Sequence, residues 1–141
     1  MYQGESVKTE RLIYTPSSFA RQSLFHLQEI GELQALKPHT SRREDLTSLL
    51  FFFVVAGNGT LMYEDTSYAL SAGDCVFIDC RRPYLHTCGS DLWTLKWIHF
   101  HGPSCDGVYE KYKERGGLPA FHTERPDVNV NENLSQVLTN I

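Results

Sequence analysis

Histidines at alternate positions are the first candidates for chemistry in this sequence. His99 and His101 flank Phe100 in an apolar segment, and His86 lies a short distance upstream. Alternate residues of a β-strand point to the same face, so two of these imidazoles could bind zinc with the third as an additional ligand. The indole of Trp97 would crowd that face, and histidines at the end of a strand are more often hydrogen bonded or solvated. We expect no metal here.

Other catalytic signatures are missing from the sequence. It contains no Gly-x-Ser-x-Gly elbow, no Ser-His-Asp set at a recognisable spacing, no phosphate-binding loop and no dinucleotide fingerprint. Cys75, Cys80, Cys88 and Cys105 form no Cys-x-x-Cys pair, and we expect reduced thiols without special reactivity. Cys88 alone lies in a predicted polar turn, where it could be reactive. We expect a protein that is not an enzyme and that carries no cofactor.

Short strands separated by turn residues must position these side chains. Residues 49–55 are apolar, β-branched and aromatic, and they end at Gly57-Asn58-Gly59. This pattern predicts a strand buried on both faces and a tight turn. Residues 37–45 are predicted to form a loop. Further strands are expected, one or two within residues 12–36 and others at 60–64, 68–70, 75–78 and 93–100, which indicates a mostly β sandwich or barrel.

The C-terminal part of the chain has helical spacing instead. A short helix is predicted to end at Gly116-Gly117, and a linker is predicted from residue 118 to residue 128. A second helix begins near Asn129 with a capping-box pattern. We therefore divide the chain into a barrel domain, residues 1–103, and a helical segment, residues 104–141. The second helix has an apolar stripe, formed by Leu134, Val137, Leu138 and Ile141. Such a stripe requires cover, either from more chain or from a partner subunit.

Composition limits the classes of function. The chain has 141 residues, enough for one core, with 13 Lys and Arg against 17 Asp and Glu and a formal net charge of -4. This balance lacks the basic excess that binding to a phosphate backbone requires. The longest apolar run, residues 49–56, is too short to cross a bilayer, and the first residues form no apolar signal region. We expect a cytoplasmic protein that by itself binds neither DNA nor a membrane.

The centre of the sequence resembles a known family. It contains Leu70-Ser-Ala-Gly-Asp-Cys-Val-Phe-Ile78, then a loop with Pro83 and His86, then Leu92-Trp-Thr-Leu-Lys-Trp-Ile-His-Phe-His-Gly-Pro103. Over about residues 38 to 103 this succession is similar to the sensor domain of AraC-family transcription regulators. The resemblance implies a cupin-like double-stranded β-helix, or jelly-roll barrel, followed by C-terminal helices.

The same resemblance implies a function. The chain would be the ligand-sensing and dimerisation domain of a regulator, would form a homodimer and would bind a small polar effector, most often a sugar. DNA would be bound only through a C-terminal helix-turn-helix domain that is absent from this chain.

Five residues are candidates for contacting the effector. Arg42, His86 and Trp97 fall where sugar-responsive relatives contact their ligand. An arginine fork suits paired hydroxyls or a carboxylate, and an indole face can stack on a sugar ring. His39 and Tyr63 are included because a loop histidine and a strand tyrosine near a barrel mouth can supply polar contacts. The alternatives are a solvated loop position for Arg42, core packing for Trp97, and a surface or core role for His39 and Tyr63.

Two other functions remain open at this point. A metal-dependent cupin enzyme, an isomerase or an oxygenase, would use His86, His99 and His101. Residues 49–64, where cupin enzymes carry a His-x-His pair, contain no histidine, which disfavours that function. The other alternative is a dimerisation module without a ligand of its own.

Overall fold

A computed structural model of the chain describes residues 7–13, 15–23, 25–43, 47–122 and 129–140. These residues form ten strands and three helices. In chain order the elements are β1 (Val7–Ile13), α1 (Ser18–Ser23), β2 (His26–Ala35), β3 (Thr40–Arg43), β4 (Leu49–Ala56), β5 (Asn58–Tyr63), β6 (Thr66–Ser71), β7 (Asp74–Asp79), β8 (Tyr84–Cys88), β9 (Thr94–His101), α2 (Cys105–Glu114), β10 (Ala120–His122) and α3 (Val130–Asn140).

The strands form two antiparallel sheets that share one core. The larger sheet has the order β1-β2-β9-β4-β7-β10, and the smaller has the order β3-β8-β5-β6. Phe52 and Val54 of β4 meet Leu61 and Tyr63 of β5 in the core between the sheets. The predicted mostly β fold with C-terminal helices is confirmed.

Strand β4 is buried because both of its faces are covered. Phe52 and Val54 point into the core, whereas Leu49, on the opposite face, packs with Tyr109 of α2. The strand ends at Gly57, whose φ is 83°. A Cβ atom there would lie 2.3 Å from a carbonyl oxygen of the facing loop, so this turn requires glycine. The predicted two-faced strand and its glycine turn are confirmed.

Several elements lie where the sequence predicted none, and β3 and β10 are two of them. Residues 37–45 contain β3, which pairs with β8 so that Thr40 lies opposite Thr87. A polar sequence is compatible with this strand because β3 lies at the edge of its sheet. The predicted linker contains β10, which pairs with β7 at the edge of the larger sheet. Residues 12–36, predicted to contain one or two strands, contain β2 and the last two residues of β1, with the short helix α1 between them.

Strand β8 also corrects two expectations about single residues. His86, predicted in a loop, lies within this strand, and Cys88 is its last residue. Cys88 is 3 % exposed, so the prediction of a polar turn that could expose its thiol is wrong. All four cysteines are buried.

Helix α2 covers the outer face of the larger sheet. The rings of Tyr109 and Tyr112 lie edge-on to Phe77, with centroids 5.4 and 5.0 Å away. The guanidinium of Arg81 joins this helix to the barrel, because it contacts both Asp79 at 2.6 Å and Asp106 of α2 at 2.8 Å. Within the described residues, no helix has the length and apolar character needed to cross a membrane.

Helix α3 begins as the sequence predicts. The side chain of Asn129 accepts a hydrogen bond from the backbone N–H of Glu132 at 2.9 Å, which caps the first turn. Leu134 of the predicted apolar stripe is buried. Ile141 and the side chains of Val137 and Leu138 lie outside the part of the chain that the structure describes. The proposed division at residue 103 stays a prediction.

Candidate ligand-binding site

A cavity of about 520 Å³ lies between the two sheets. The larger sheet contributes side chains from β1, β2, β4 and β9, and the smaller sheet contributes side chains from β3 and β8. Cavities that bind small molecules in proteins have volumes of this order and combine apolar walls with a few polar groups.

Trp97 forms one wall of the cavity, and its position is fixed by two neighbours on β2. It lies opposite Gly31 in the sheet register. A Cβ atom at Gly31 would lie 2.4 Å from Cζ2 of the indole, so the ring occupies the space that any other residue would fill. The indole Nε1–H donates a hydrogen bond of 2.8 Å to Oε2 of Glu29. The glycine and the carboxylate together hold the indole at the cavity wall.

Glu29 is the acidic group among the residues that line the cavity. Its Oε1 accepts a hydrogen bond from Arg11 of β1 at 3.3 Å, while Oε2 accepts the bond from Trp97. The side chain of Arg11 is 49 % exposed, so solvent screens its charge and the pair is weak. The carboxylate is therefore well oriented, and its negative charge is only partly compensated.

His99 lies beside Glu29 on the same wall. Its Nε2 is 3.9 Å from Oε2 of Glu29, and its Nδ1 is 2.8 Å from the hydroxyl oxygen of Ser48. If the Ser48 hydroxyl donates to Nδ1, the ring proton lies on Nε2, where the carboxylate stabilises it. Ser48 is 2 % exposed and is not among the cavity-lining residues, so its hydroxyl orients the imidazole.

The smaller sheet supplies an aromatic wall. The rings of His86 and Tyr84 are nearly parallel, with an interplanar angle of 14° and centroids 6.3 Å apart. The ring of Phe52, from the larger sheet, lies 5.7 Å from that of His86. Ser41 of β3 lies opposite His86 and also lines the cavity.

The structure brings together two of the five predicted contact residues. His86 and Trp97 both line the cavity, from opposite sheets. Arg42 lies in β3 opposite Leu85, and its side chain is outside the described part of the chain.

The other two predicted residues lie away from this cavity. His39 precedes β3 and does not line the cavity; its Nδ1 lies 3.4 Å from the carbonyl oxygen of Lys37. Tyr63 is a core residue whose hydroxyl donates to the carbonyl oxygen of Asp79 at 2.9 Å. Burial raises the pKa of Tyr63 far above its usual value, and a hydrogen bond with Tyr109 adds to the effect. The contacts of Tyr63 support a structural role.

The predicted alternative of a three-histidine metal site is wrong. His99 lines the cavity, whereas the ring of His101 lies near that of His26, with centroids 6.1 Å apart, where β2 and β9 pair. His86 belongs to the other sheet. Among the described residues, no group of three or more His, Cys, Asp or Glu side chains could hold a metal ion.

Glu29 and Arg11 line the cavity but were not among the residues predicted from the sequence. A bulge between Leu27 and Glu29 interrupts the alternation of β2, and this hides the face on which the carboxylate lies. Gly31 is the signal that was available, because a glycine inside a strand often marks the close approach of another group.

Comparisons with known proteins identify a family for most of the chain. Residues 27–141 match the family described as the AraC-like ligand binding domain. No curated protein sequence matches the chain significantly.

Solved structures share the fold at low sequence identity. The cupin domain of Cnp3 from Schizosaccharomyces pombe has a TM-score of 0.55 and 12% identity over 84% of this chain and 77% of that one. A Cupin 2 conserved barrel domain protein from Leptotrichia buccalis has a TM-score of 0.56 and 15% identity over 92% of this chain and 51% of that one. An HTH_3 family transcriptional regulator from Vibrio cholerae has a TM-score of 0.51 and 14% identity over 67% of this chain and 51% of that one.

The chain is thus similar to about half the length of the last two proteins. These similarities confirm the predicted cupin-type barrel. The family match includes β2, β8 and β9, the strands that carry Glu29, His86 and Trp97. The chain belongs to the AraC-like ligand-binding domain family.

Proposed function

We propose that this chain is the sensor domain of a transcription regulator and that it binds a small carbohydrate in the cavity between its sheets. The observation that carries the proposal is the position of Trp97, whose indole is held at the wall of a cavity of about 520 Å³ by Gly31 and Glu29. An aromatic ring fixed at a cavity wall offers a sugar ring a surface on which to stack.

The polar groups of the cavity suit a neutral polyhydroxylated ligand. Glu29 can accept hydrogen bonds, and the imidazoles of His86 and His99 can donate or accept them. Arg11 compensates the charge of Glu29 only in part, so an uncharged ligand suits this wall better than an anion does. A ligand with several hydroxyls matches this mixture of donors and acceptors better than an apolar ligand does.

The regulatory context is supported by family membership and by the chain's charge. The matching family is that of AraC-like ligand-binding domains, and one structurally similar protein is a transcriptional regulator from Vibrio cholerae. With a formal net charge of -4, this chain is poorly suited to bind DNA by itself. We therefore assign DNA contact to a separate domain of the regulator. We also propose that the protein acts in the cytoplasm and that this chain catalyses no reaction.

Dimerisation through α3 is part of the same proposal. The helix carries apolar residues at helical spacing, and paired DNA half-sites suit a two-fold regulator. Sedimentation velocity over a concentration series should show a weak dimer that Leu138→Glu dissociates. A variant that sediments like the parent dimer would place the interface elsewhere.

Calorimetry with a sugar panel tests the carbohydrate proposal. The panel is L-arabinose, D-xylose, D-galactose, D-glucose and L-rhamnose. The sugar that binds the parent best should bind Trp97→Ala about ten- to a hundredfold more weakly, because a stacked indole contributes roughly 1 to 3 kcal/mol. Leu118→Ala removes an exposed apolar side chain outside the cavity and should retain the parent affinity. If a folded Trp97→Ala variant binds the sugar with the affinity of the parent, Trp97 does not belong to the site.

A further inference from the structure

Two side chains at the cavity wall offer opposite hydrogen-bonding roles side by side. Oε2 of Glu29 and Nε2 of His99 are 3.9 Å apart, which is longer than a direct hydrogen bond. We propose that Glu29 and His99 are the specificity pair of this cavity and that they recognise two neighbouring hydroxyls of an uncharged vicinal diol. This inference rests on the proposed function.

The acceptor half of the pair is Glu29. Its Oε2 accepts the indole hydrogen bond of Trp97, and a carboxylate oxygen has a second lone pair that can accept from a ligand hydroxyl. The contact with Arg11 through Oε1 fixes the plane of the carboxylate. The side chain of Glu29 is 19 % exposed, so it is partly shielded from solvent and lies at the cavity surface.

The donor half is His99. Ser48 lies 2.8 Å from Nδ1, and in the tautomer in which its hydroxyl donates there, Nε2 carries the proton. The neighbouring carboxylate favours this tautomer electrostatically. His99 therefore acts as a donor toward the ligand at a fixed position beside the acceptor of Glu29.

This arrangement discriminates between classes of ligand. A ligand carboxylate offers only acceptors and is repelled by Glu29, because the half-exposed Arg11 compensates that charge only in part. A ligand ammonium offers only donors and cannot accept from Nε2–H of His99. A pair of adjacent hydroxyls satisfies both groups, one hydroxyl donating to Glu29 and the next accepting from His99.

The variants Glu29→Gln and His99→Gln test the pair by calorimetry, with the best-binding sugar of the panel and its monodeoxy analogues as probes. Glu29→Gln keeps an amide oxygen that can accept the bond from Trp97, so the indole should stay in place. Each variant should bind the sugar about tenfold more weakly, because glutamine replaces the charged acceptor of Glu29 by a neutral one, and moves the donor of His99 away from its fixed position. The matched controls Glu110→Gln and His122→Gln change exposed residues that do not line the cavity and should retain the parent affinity.

The deoxy analogues separate a direct contact from a structural effect. On the parent, removing one hydroxyl of the recognised pair should weaken binding about tenfold. On the variant in which the side chain that contacts this hydroxyl is replaced, the same removal should weaken binding less than about threefold. D-galacturonate should bind more weakly than D-galactose.

Each failure has a separate meaning. If both variants bind the sugar like the parent while Trp97→Ala binds it more weakly, the specificity pair is refuted and the proposed function stands. If the variants lose the same factor for the sugar and for every deoxy analogue, the pair does not contact those hydroxyls and the inference is refuted. If no sugar of the panel binds the parent, the carbohydrate proposal fails, and the pair fails with it.

Discussion

Each of the two tryptophans of the chain packs its ring against a glycine, but only one of them lines the cavity. Trp93 precedes β9 and lies against Gly59, whereas Trp97 lies within β9 against Gly31. Trp93 is 0% exposed, and its Nε1 has no hydrogen-bond partner among the described residues. Trp97 lines the cavity, and its Nε1 is bonded to Glu29.

The difference between these tryptophans distinguishes a packing role from a binding role. Each ring occupies the space beside a glycine, so this contact alone does not identify a site. The hydrogen-bond partner of Nε1 distinguishes the two rings. A carboxylate at a cavity wall is costly to desolvate, which is compatible with a group that orients a side chain or contacts a ligand. We therefore assign Trp93 to packing, and the proposed function gives Trp97 the role in ligand binding.

The largest expected effect is that of Gly59→Ala. The new Cβ would lie 2.2 Å from Cζ3 of Trp93 and 2.5 Å from the backbone oxygen of Thr87, and the fully buried ring has no space into which to move. We expect a loss of about 3 kcal/mol in the free energy of unfolding, measured by urea denaturation. Gly107→Ala is the control: its Cβ would have no neighbour within 4 Å, and alanine favours the helix there. A loss below about 1 kcal/mol at Gly59 would contradict tight packing around Trp93.

Gly31→Ala should separate stability from binding. Its Cβ would meet Cζ2 of Trp97 at 2.4 Å, but this ring can move toward the cavity. We expect a smaller loss of about 1 to 2 kcal/mol in the free energy of unfolding, together with a more than tenfold loss of sugar affinity by calorimetry. Parent affinity in this variant would show that the site does not depend on the position of the indole.

Replacing each tryptophan by phenylalanine should give opposite patterns. Trp93→Phe loses packing but also removes a buried N–H that has no partner in the described residues, so unfolding should become easier by about 1 to 2 kcal/mol. Its sugar affinity should stay within about threefold of the parent, because Trp93 does not line the cavity and approaches it only through the ring of His86, with centroids 5.8 Å apart. Trp97→Phe should change stability by less than about 1 kcal/mol and weaken binding about tenfold, because the bond to Glu29 and the larger ring surface are lost. If Trp93→Phe and Trp97→Phe weakened sugar binding equally, the distinction between a packing and a binding tryptophan would be contradicted.

The parts of this fold that were predictable are those in which local pattern and tertiary role agree. The apolar run of β4 is buried on both faces, and the turn at Gly57 needs a glycine, so both could be inferred from the sequence. Strand β3 could not, because a polar edge strand has the composition of a loop and is defined only by its pairing with β8. Cys88 was placed in a turn for the same reason.

The candidate site was predictable only in part. Family resemblance identified His86 and Trp97, and both line the cavity. Glu29 lies after a bulge that breaks the alternation of β2, so its direction depends on register and not on spacing. His99 was considered as a metal ligand, but its neighbours Ser48 and Glu29 come from distant parts of the chain.

The most direct test of the assignment is the ¹H–¹⁵N spectrum of the parent chain during titration with the sugar panel. Two tryptophans give two indole N–H signals, and the Trp93→Phe and Trp97→Phe variants assign them. We predict that the Trp97 signal shifts with a saturable dependence on the best-binding sugar, because its N–H is bonded to Glu29 at the cavity wall, while the Trp93 signal stays in place. If neither signal moves with any sugar, or if only the Trp93 signal moves, ligand binding at Trp97 is contradicted.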